Sequence, residues 1–275
     1  MGMQIATNVS ALNAHRNLSA NQNDVGKSLE KLSSGLRINR AADDAAGLAI
    51  SEGLKSQVSG LNVAARNAQD GISVIQTAEG ALTEVHSILQ RVRDLTVQAG
   101  NDSNNADSRA AIKTEIDALG DELTRVAEST NFNGIKLLNG DNASLTFQVG
   151  AGSTAAEDQI AVTLTDFSTL GADIKALTVD TAANALTSLA AIDTEIKGVS
   201  TARAGLGAAQ NRFESTINSL NVAAENLSAA NSRIRDTDMA AEMVKYTASN
   251  ILSQAGQAML AQANQGTQGV LQLLR

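Results

Sequence analysis

Asp43 and Asp44 stand side by side just ahead of the run AAGLAI, and adjacent carboxylates of this kind suit a divalent cation. No histidine and no third ligand follows in the segment. Acidic residues at the start of a helix also accept its free amides and complement its dipole, and that capping role explains the pair without a metal. His15 and His86 are the two histidines of the chain, and they fall in separate stretches. A Ser–His–Asp site needs held geometry and an oxyanion donor, and neither surrounds either ring. Neither a G-x-x-x-x-G-K-[ST] loop nor a strand-preceded GxGxxG occurs. Cysteine is absent, which excludes disulfides, thiolate metal sites and thiol nucleophiles. These residues predict no enzyme, no metal and no cofactor. In QRVRDL (90–95), flanking Leu89 and Val92 point to an apolar seam, while Arg91 and Arg93 are solvated or pair across subunits.

The elements that carry these residues are long helices. Hydrophobic residues make up 43% of 275 positions but aromatics only 2%, so the apolar surface is mostly Ala, Leu, Ile and Val. That composition suits narrow helix–helix seams. Proline, which costs a helix interior roughly 3 kcal/mol, is absent. The net charge of −8 comes without a basic stripe, which argues against nucleic acid. No run of 18 apolar residues is present to span a membrane. The opening MGMQIATNVSALNAHRN lacks the charged start and apolar block of a secretory signal, so export would use another route.

Leu18, Val25 and Leu32 lie seven apart, with Leu29 and Leu36 in neighbouring seam positions. A break is expected around Gly47 and Gly53. Beyond it Val58, Leu61, Ala65, Ala68, Ile72, Ile75 and Leu82 recur at steps of three and four, with Glu79 the one polar position in the series. Val85, Leu89 and Val92 continue one three-step out of phase, the pattern of a stammer. A helix over about 54–99 would be roughly 70 Å long. AGNDSNNADS (99–108) is a polar turn, and a shorter helix carries Ile112, Ile116, Leu119, Leu123 and Val126. From NFNG (131–134) the period changes to two. Leu145, Phe147 and Val149 with Ile160, Val162 and Leu164 predict a β-hairpin around a longer loop. Helical spacing returns near 185 and runs from Leu189 through Ile234. The expected fold is mainly α: a long antiparallel coiled-coil bundle with a small β-hairpin region and paired N- and C-terminal arms.

Residues 246–275 carry a single charge, Arg275, and place Ala248, Leu252, Ala255, Met259 and Ala263 on one stripe before Val270, Leu273 and Leu274. An end this apolar calls for a covering partner, whether its own chain or copies of it. Identical subunits packed head to tail without closing make a helical filament.

Several segments resemble one family. SLEKLSSGLRINRAADDAAGLAIS (28–51), ARNAQDGISVIQTAEGAL (65–82) and LQRVRDLTVQAGN (89–101) are similar to the N-terminal core of bacterial flagellin. NFNGIKLLNG (131–140), AAENLSAANSRIRDTDMAAEM (223–243) and AMLAQANQGTQGVLQLLR (258–275) resemble the rest of its core. The resemblance implies a secreted, extracellular subunit of the flagellar filament serving motility. Its arms, residues 1–44 and 234–275, would pair as an inner coiled-coil domain, with 45–180 and 181–233 as the outer core. Packing inside the filament would fall to Leu18, Val25, Leu29, Leu32, Leu36, Leu252, Met259, Val270, Leu273 and Leu274. Arg37, Arg40, Asp43 and Asp44 would form the spoke, its charges pairing within or between subunits. The variable outer domains look absent, since only about 50 residues separate the arms. Implied partners are other subunits, the cap and hook–filament junction proteins, and an export chaperone at the C-terminal arm. A Toll-like receptor would grip Arg91, Leu95 and Glu115. A hook–filament junction protein, or a coiled-coil rod of signalling or secretion, is the rival reading.

Overall fold

A computed structural model describes residues 7–273 of the chain, with side chains through residue 265. Helix α1 (Val9–Ser34) starts at Asn8, whose side chain accepts the Ala11 amide, and ends at Gly35 with φ 73°, a left-handed cap that glycine adopts without strain. Helix α2 (Ala45–Ala99) is 55 residues long. It begins about ten residues earlier than the spacing predicts and runs straight through Gly47 and Gly53. Asp44 explains the early start, because its Oδ1 accepts the Gly47 amide at 2.9 Å and so nucleates the first turn. Gly47 is there for closeness: a Cβ would meet the Asp44 carboxylate at 2.4 Å and Ile38 at 2.8 Å.

After a turn, α3 (Ala106–Ser129) is capped by Asn105 and buries Ile112, Ile116, Leu123 and Val126. Strands β1 (Asn131–Phe132) and β2 (Ile135–Lys136) form a minimal hairpin. Its two-residue turn has positive φ at Asn133 (49°) and Gly134 (81°), the type I′ pattern that Asn-Gly favours. The expected hairpin pairs β3 (Ser144–Gln148) with β4 (Gln159–Thr163), Leu145 opposite Val162 and Phe147 opposite Ile160. Its loop contains a single helical turn, α4 (Ala155–Asp158), and wraps the Asp158 carboxylate, which accepts the Gly152 and Thr154 amides. A further short helix, α5 (Leu170–Lys175), follows without being signalled by the residue spacing. Helices α6 (Ala182–Arg235) and α7 (Met239–Leu273) complete the chain.

The chain divides into two compact units, Met1–Ser56 with Asn226–Arg275, and Gln57–Glu225. In the second unit α2 and α6 run antiparallel. Arg93 pairs with Asp193 at 2.7 Å, Arg203 with Glu79 at 3.6 Å, and Gly71 lies beneath the Phe213 ring. Along α2 the buried seam runs through Ala64, Ala68, Gly71, Ile75, Ala78, Leu82, Val85, Leu89 and Val92. These keep one unbroken alternation of four and three, so the predicted stammer does not exist. Ala65, Ile72 and Glu79 are flanking positions, and the true seam passes through their smaller neighbours Ala64, Gly71 and Ala78. From α6, Ile192, Val199, Leu206 and Phe213 enter the same core at intervals of seven.

Candidate assembly surfaces

In the first unit α1 and α7 pair antiparallel. Asn8 Nδ2 donates to the Ala263 carbonyl at 2.9 Å, Leu18 sits over Gly256, and the Ser28 hydroxyl donates to Glu242 Oε1 at 2.7 Å. The covered face of α1 takes Ala11, Ala14, Leu18, Asn21, Val25, Ser28 and Leu32, in strict steps of three and four. The covered face of α7 takes Glu242, Tyr246, Ser249, Ser253, Gly256, Leu260 and Ala263. Leu18, Val25 and Leu32 thus lie on the seam. Leu29 does not: it is one position, and so about 100°, round from Ser28 and is 55% exposed. Leu36 follows the helix and is half-buried, bridged to Asp236.

Glu242 is the one buried carboxylate among the described residues, 7% exposed. The Ser28 hydroxyl holds its carboxyl below the usual glutamate range. Burial works against that, and the nearby charges of Lys245 and Lys31 work with it. Nothing in the apolar pattern flags Ser28 or Glu242. The available signal is a polar residue falling on the seam spacing, Ser28 between Val25 and Leu32 and Glu242 ahead of Tyr246.

Of the stripe expected from the sequence, Ala248, Leu252, Ala255 and Met259 face away from α1, while Ala263 lies on the covered face, where its carbonyl accepts from Asn8. Leu252 is 54% and Met259 62% exposed, with Val244 and Ile251 also open. α7 therefore carries two faces, a small-residue face spent inside the chain and an apolar face left uncovered. The side chains of Val270 and Leu273, and Leu274 altogether, lie outside the described residues.

The spoke acids and bases are together, but within the chain they do not pair with each other. Asp43 Oδ2 accepts the amides of Arg40 (2.9 Å) and Asn39 (3.1 Å), and these two bonds hold its carboxyl below the ordinary value. Asp44 caps α2. Arg40 reaches back to Glu30 at 2.8 Å, and Arg37 donates to the Ile234 carbonyl. Backbone amides claim the acids because the turn leaves those donors otherwise unpaired. Arg235 adds a bond to Glu52 at 2.7 Å. No group of three or more potential metal ligands gathers among the described residues.

Arg91 and Glu115 form a surface ion pair between α2 and α3, with Arg91 donating to Glu115 Oε1 at 2.6 and 3.0 Å. Leu95 is 2% exposed and belongs to the core, which corrects its expected place in a surface patch. It lies one turn past Arg91, on the side of the helix that packs inward. Arg93 pairs within the chain, with Asp193 at 2.7 Å.

Long paired helices, a glycine-capped junction and an uncovered apolar helix face define a long-helix structural protein. The bacterial flagellin N-terminal helical region matches residues 5–143 and the C-terminal helical region residues 189–274. The chain belongs to the bacterial flagellins, in a short form. It is 53% identical over 273 residues to a flagellin of Halalkalibacterium halodurans, covering 99% of this chain and all of that one. It is 47% identical to a flagellar filament 33 kDa core protein of Treponema phagedenis, covering 99% of this chain and all of the relative. The crystal structure of Bacillus cereus flagellin is similar at 32% identity and TM-score 0.50, covering 60% of this chain and 94% of that one.

Proposed function

We propose that this chain is the structural subunit of a flagellar filament, serving bacterial swimming by geometry rather than catalysis. The carrying observation is the uncovered face of α7, where Val244, Ile251, Leu252 and Met259 are each more than half exposed. A soluble chain that leaves such a stripe open gains by burying it against copies of itself, and a contact that does not close on itself propagates as a helix. Full-length identity to a filament core protein supports this reading over the hook–filament junction protein or a signalling rod.

In this reading residues 1–44 and 234–275 are inner arms, and 45–180 with 181–233 form the outer layer. Leu252 and Met259 face neighbouring subunits, as does Leu29 from α1. Leu18, Val25 and Leu32 hold the arms together, Leu36 sits at the spoke, and Val270, Leu273 and Leu274 extend the packing. The filament lies outside the cell, reached by type III export, with a chaperone on the C-terminal arm. Cap and junction proteins hold its ends. Arg91 and Glu115 are the receptor-facing groups for a Toll-like receptor, and Leu95 supports them from beneath.

Seeding the purified chain, or adding ammonium sulfate, should yield filaments by electron microscopy. Deleting residues 246–275 should abolish elongation while the helices of Gln57–Glu225 keep their circular dichroism. A deleted chain that still elongates refutes the role given to α7.

A further inference from the structure

The covered faces of α1 and α7 pose a problem of specification. Most positions along them are small or polar: Ala11, Ala14 and Asn21 on one side, Ser249, Ser253 and Ala263 on the other. Such a seam resists sliding only in part: a shift of seven residues exchanges Ser249 for Gly256 and Gly256 for Ala263, and beyond Glu242 only Tyr246 for Ser253 and Ser253 for Leu260 change size substantially. In coiled coils a single polar position fixes alignment where apolar packing does not. One contact here is specific: the Ser28 hydroxyl donates to the buried Glu242 carboxylate, whereas Asn8 donates to the Ala263 backbone carbonyl, which any residue offers, and Leu18 lies over Gly256, where a Cβ would stand 3.4 Å away at ordinary contact distance.

We infer that the Ser28–Glu242 hydrogen bond selects the register of α1 against α7. Through that register it sets which apolar side chains are presented together for assembly. The inference rests on the filament reading above. A slide of seven in one direction sets Ser28 against Ser249, Leu18 against the Ala263 methyl, and Glu242 against Gly35, which has no side-chain donor. Glu242 would then be buried without the hydroxyl that satisfies it, and an unsatisfied buried carboxylate is costly. A slide in the other direction offers Glu242 the Asn21 amide. It also sets Leu18 against Ser249, whose side chain occupies the space that Gly256 leaves free, and carries Ser28 past the first turn of α7, which begins at Met239. Ser28 and Glu242 are thus positioning residues. Both lie on the covered seam, and the apolar stripe of α7 faces elsewhere.

The chain has no cysteine, so introduced pairs report register without background. Asn21→Cys with Ser253→Cys marks the native register, since the two positions follow from Leu18 over Gly256. Asn21→Cys with Leu260→Cys marks the seven-residue slide, and Asn21→Cys also removes the amide that would rescue the opposite slide. Full-length chains carrying each pair are oxidised in solution and after seeding, and intrachain cross-links are counted. The parent should cross-link through the native pair. Ser28→Val with Glu242→Leu, which keeps the seam packed, should raise the slipped yield relative to the native one on the order of tenfold. Elongation from seeds should slow with it. Glu242→Gln keeps an acceptor and should retain both register and elongation. If the double variant loses helix content, Ser28→Ala carries the same comparison. Native-only cross-linking with normal elongation in the Ser28→Val/Glu242→Leu chain or in Ser28→Ala overturns the inference, and so does lost elongation with native register kept. If the parent itself fails to elongate, the filament reading falls instead, while the cross-link ratio still decides the register.

Discussion

Replacing Gly71 by alanine separates two effects that usually travel together. In the interior of a helix this exchange ordinarily stabilises by about 0.5–1 kcal/mol, because glycine loses more backbone freedom on folding. At Gly71 the added Cβ would stand 2.9 Å from Phe213 Cζ, 3.0 Å from its Cε1 and 3.4 Å from Phe147 Cδ1. Phe213 cannot swing clear, since it is fully buried and held edge-on by Phe147 at a centroid distance of 5.6 Å and 86°. Overpacking a filled core costs about 1–3 kcal/mol, enough to cancel the helix gain and in most of that range reverse it. Gly80 is the internal control: it lies in the same helix, and a methyl group added there would meet nothing within 4 Å. Gly80→Ala should therefore raise the thermal midpoint and Gly71→Ala should not. The two variants should differ by about 1–3 kcal/mol, roughly 2–10 °C for a unit of this size. Circular dichroism at about 222 nm against temperature, repeated in urea, measures the difference. If Gly71→Ala stabilises as much as Gly80→Ala, the ring contact is too loose to matter and the account of this core is wrong.

Acid should loosen the arms. Glu242 and Asp43 are both held below their ordinary values when folded, so their stabilisation is complete above about pH 4.3 and lost as pH falls through the lowered values. Helix content should fall as pH drops below about 4.3, and Glu242→Gln should flatten that step. An unchanged acid midpoint in the variant would remove Glu242 from the explanation. At the β1–β2 turn, Gly134→Ala forces a side chain into left-handed backbone at φ 81°, at a cost of about 1–2 kcal/mol. Denaturant unfolding should show it, and a neutral result would mean that the turn rearranges freely.

Where large residues do the packing, the fold is legible. Leu82, Val85, Leu89 and Val92 repeat too regularly for anything but a helix, and the absence of proline lets it run to 55 residues. Leu145–Val149 and Ile160–Leu164 alternate as hairpin strands should. Where small residues do the packing, the reading fails. Ala64, Gly71 and Ala78 are the seam, but their neighbours Ala65, Ile72 and Glu79 carry the pattern into a stammer that is not there. Helix α5 escapes for a related reason: it is six residues long and meets α3 at glycines. Its apolar stripe is only Leu170 and Ile174, and a Cβ on Gly171 would stand 2.4 Å from the Gly120 carbonyl, so little in the spacing announces the contact. The Asn133-Gly134 turn is readable from its dipeptide. In the assembly surfaces, the sequence locates the α7 stripe but cannot say which way it faces. Leu95 goes astray because a helix side one turn from an exposed arginine can still point into the core.

The two-faced build of α7 has a consequence for when the arms become stable. Apolar burial scales with the area removed from water, about 25 cal/mol per Å². The Ser, Gly and Ala that make up most of the covered face remove little, whereas Val244, Ile251, Leu252 and Met259 still hold theirs in reserve. A free subunit therefore has weakly cohesive arms, and each neighbour that arrives supplies what the chain lacks. Ordering of the arms and growth of the polymer become a single cooperative event with a threshold concentration. Below that threshold the subunits stay dispersed, and above it an existing end is the place where the arms consolidate.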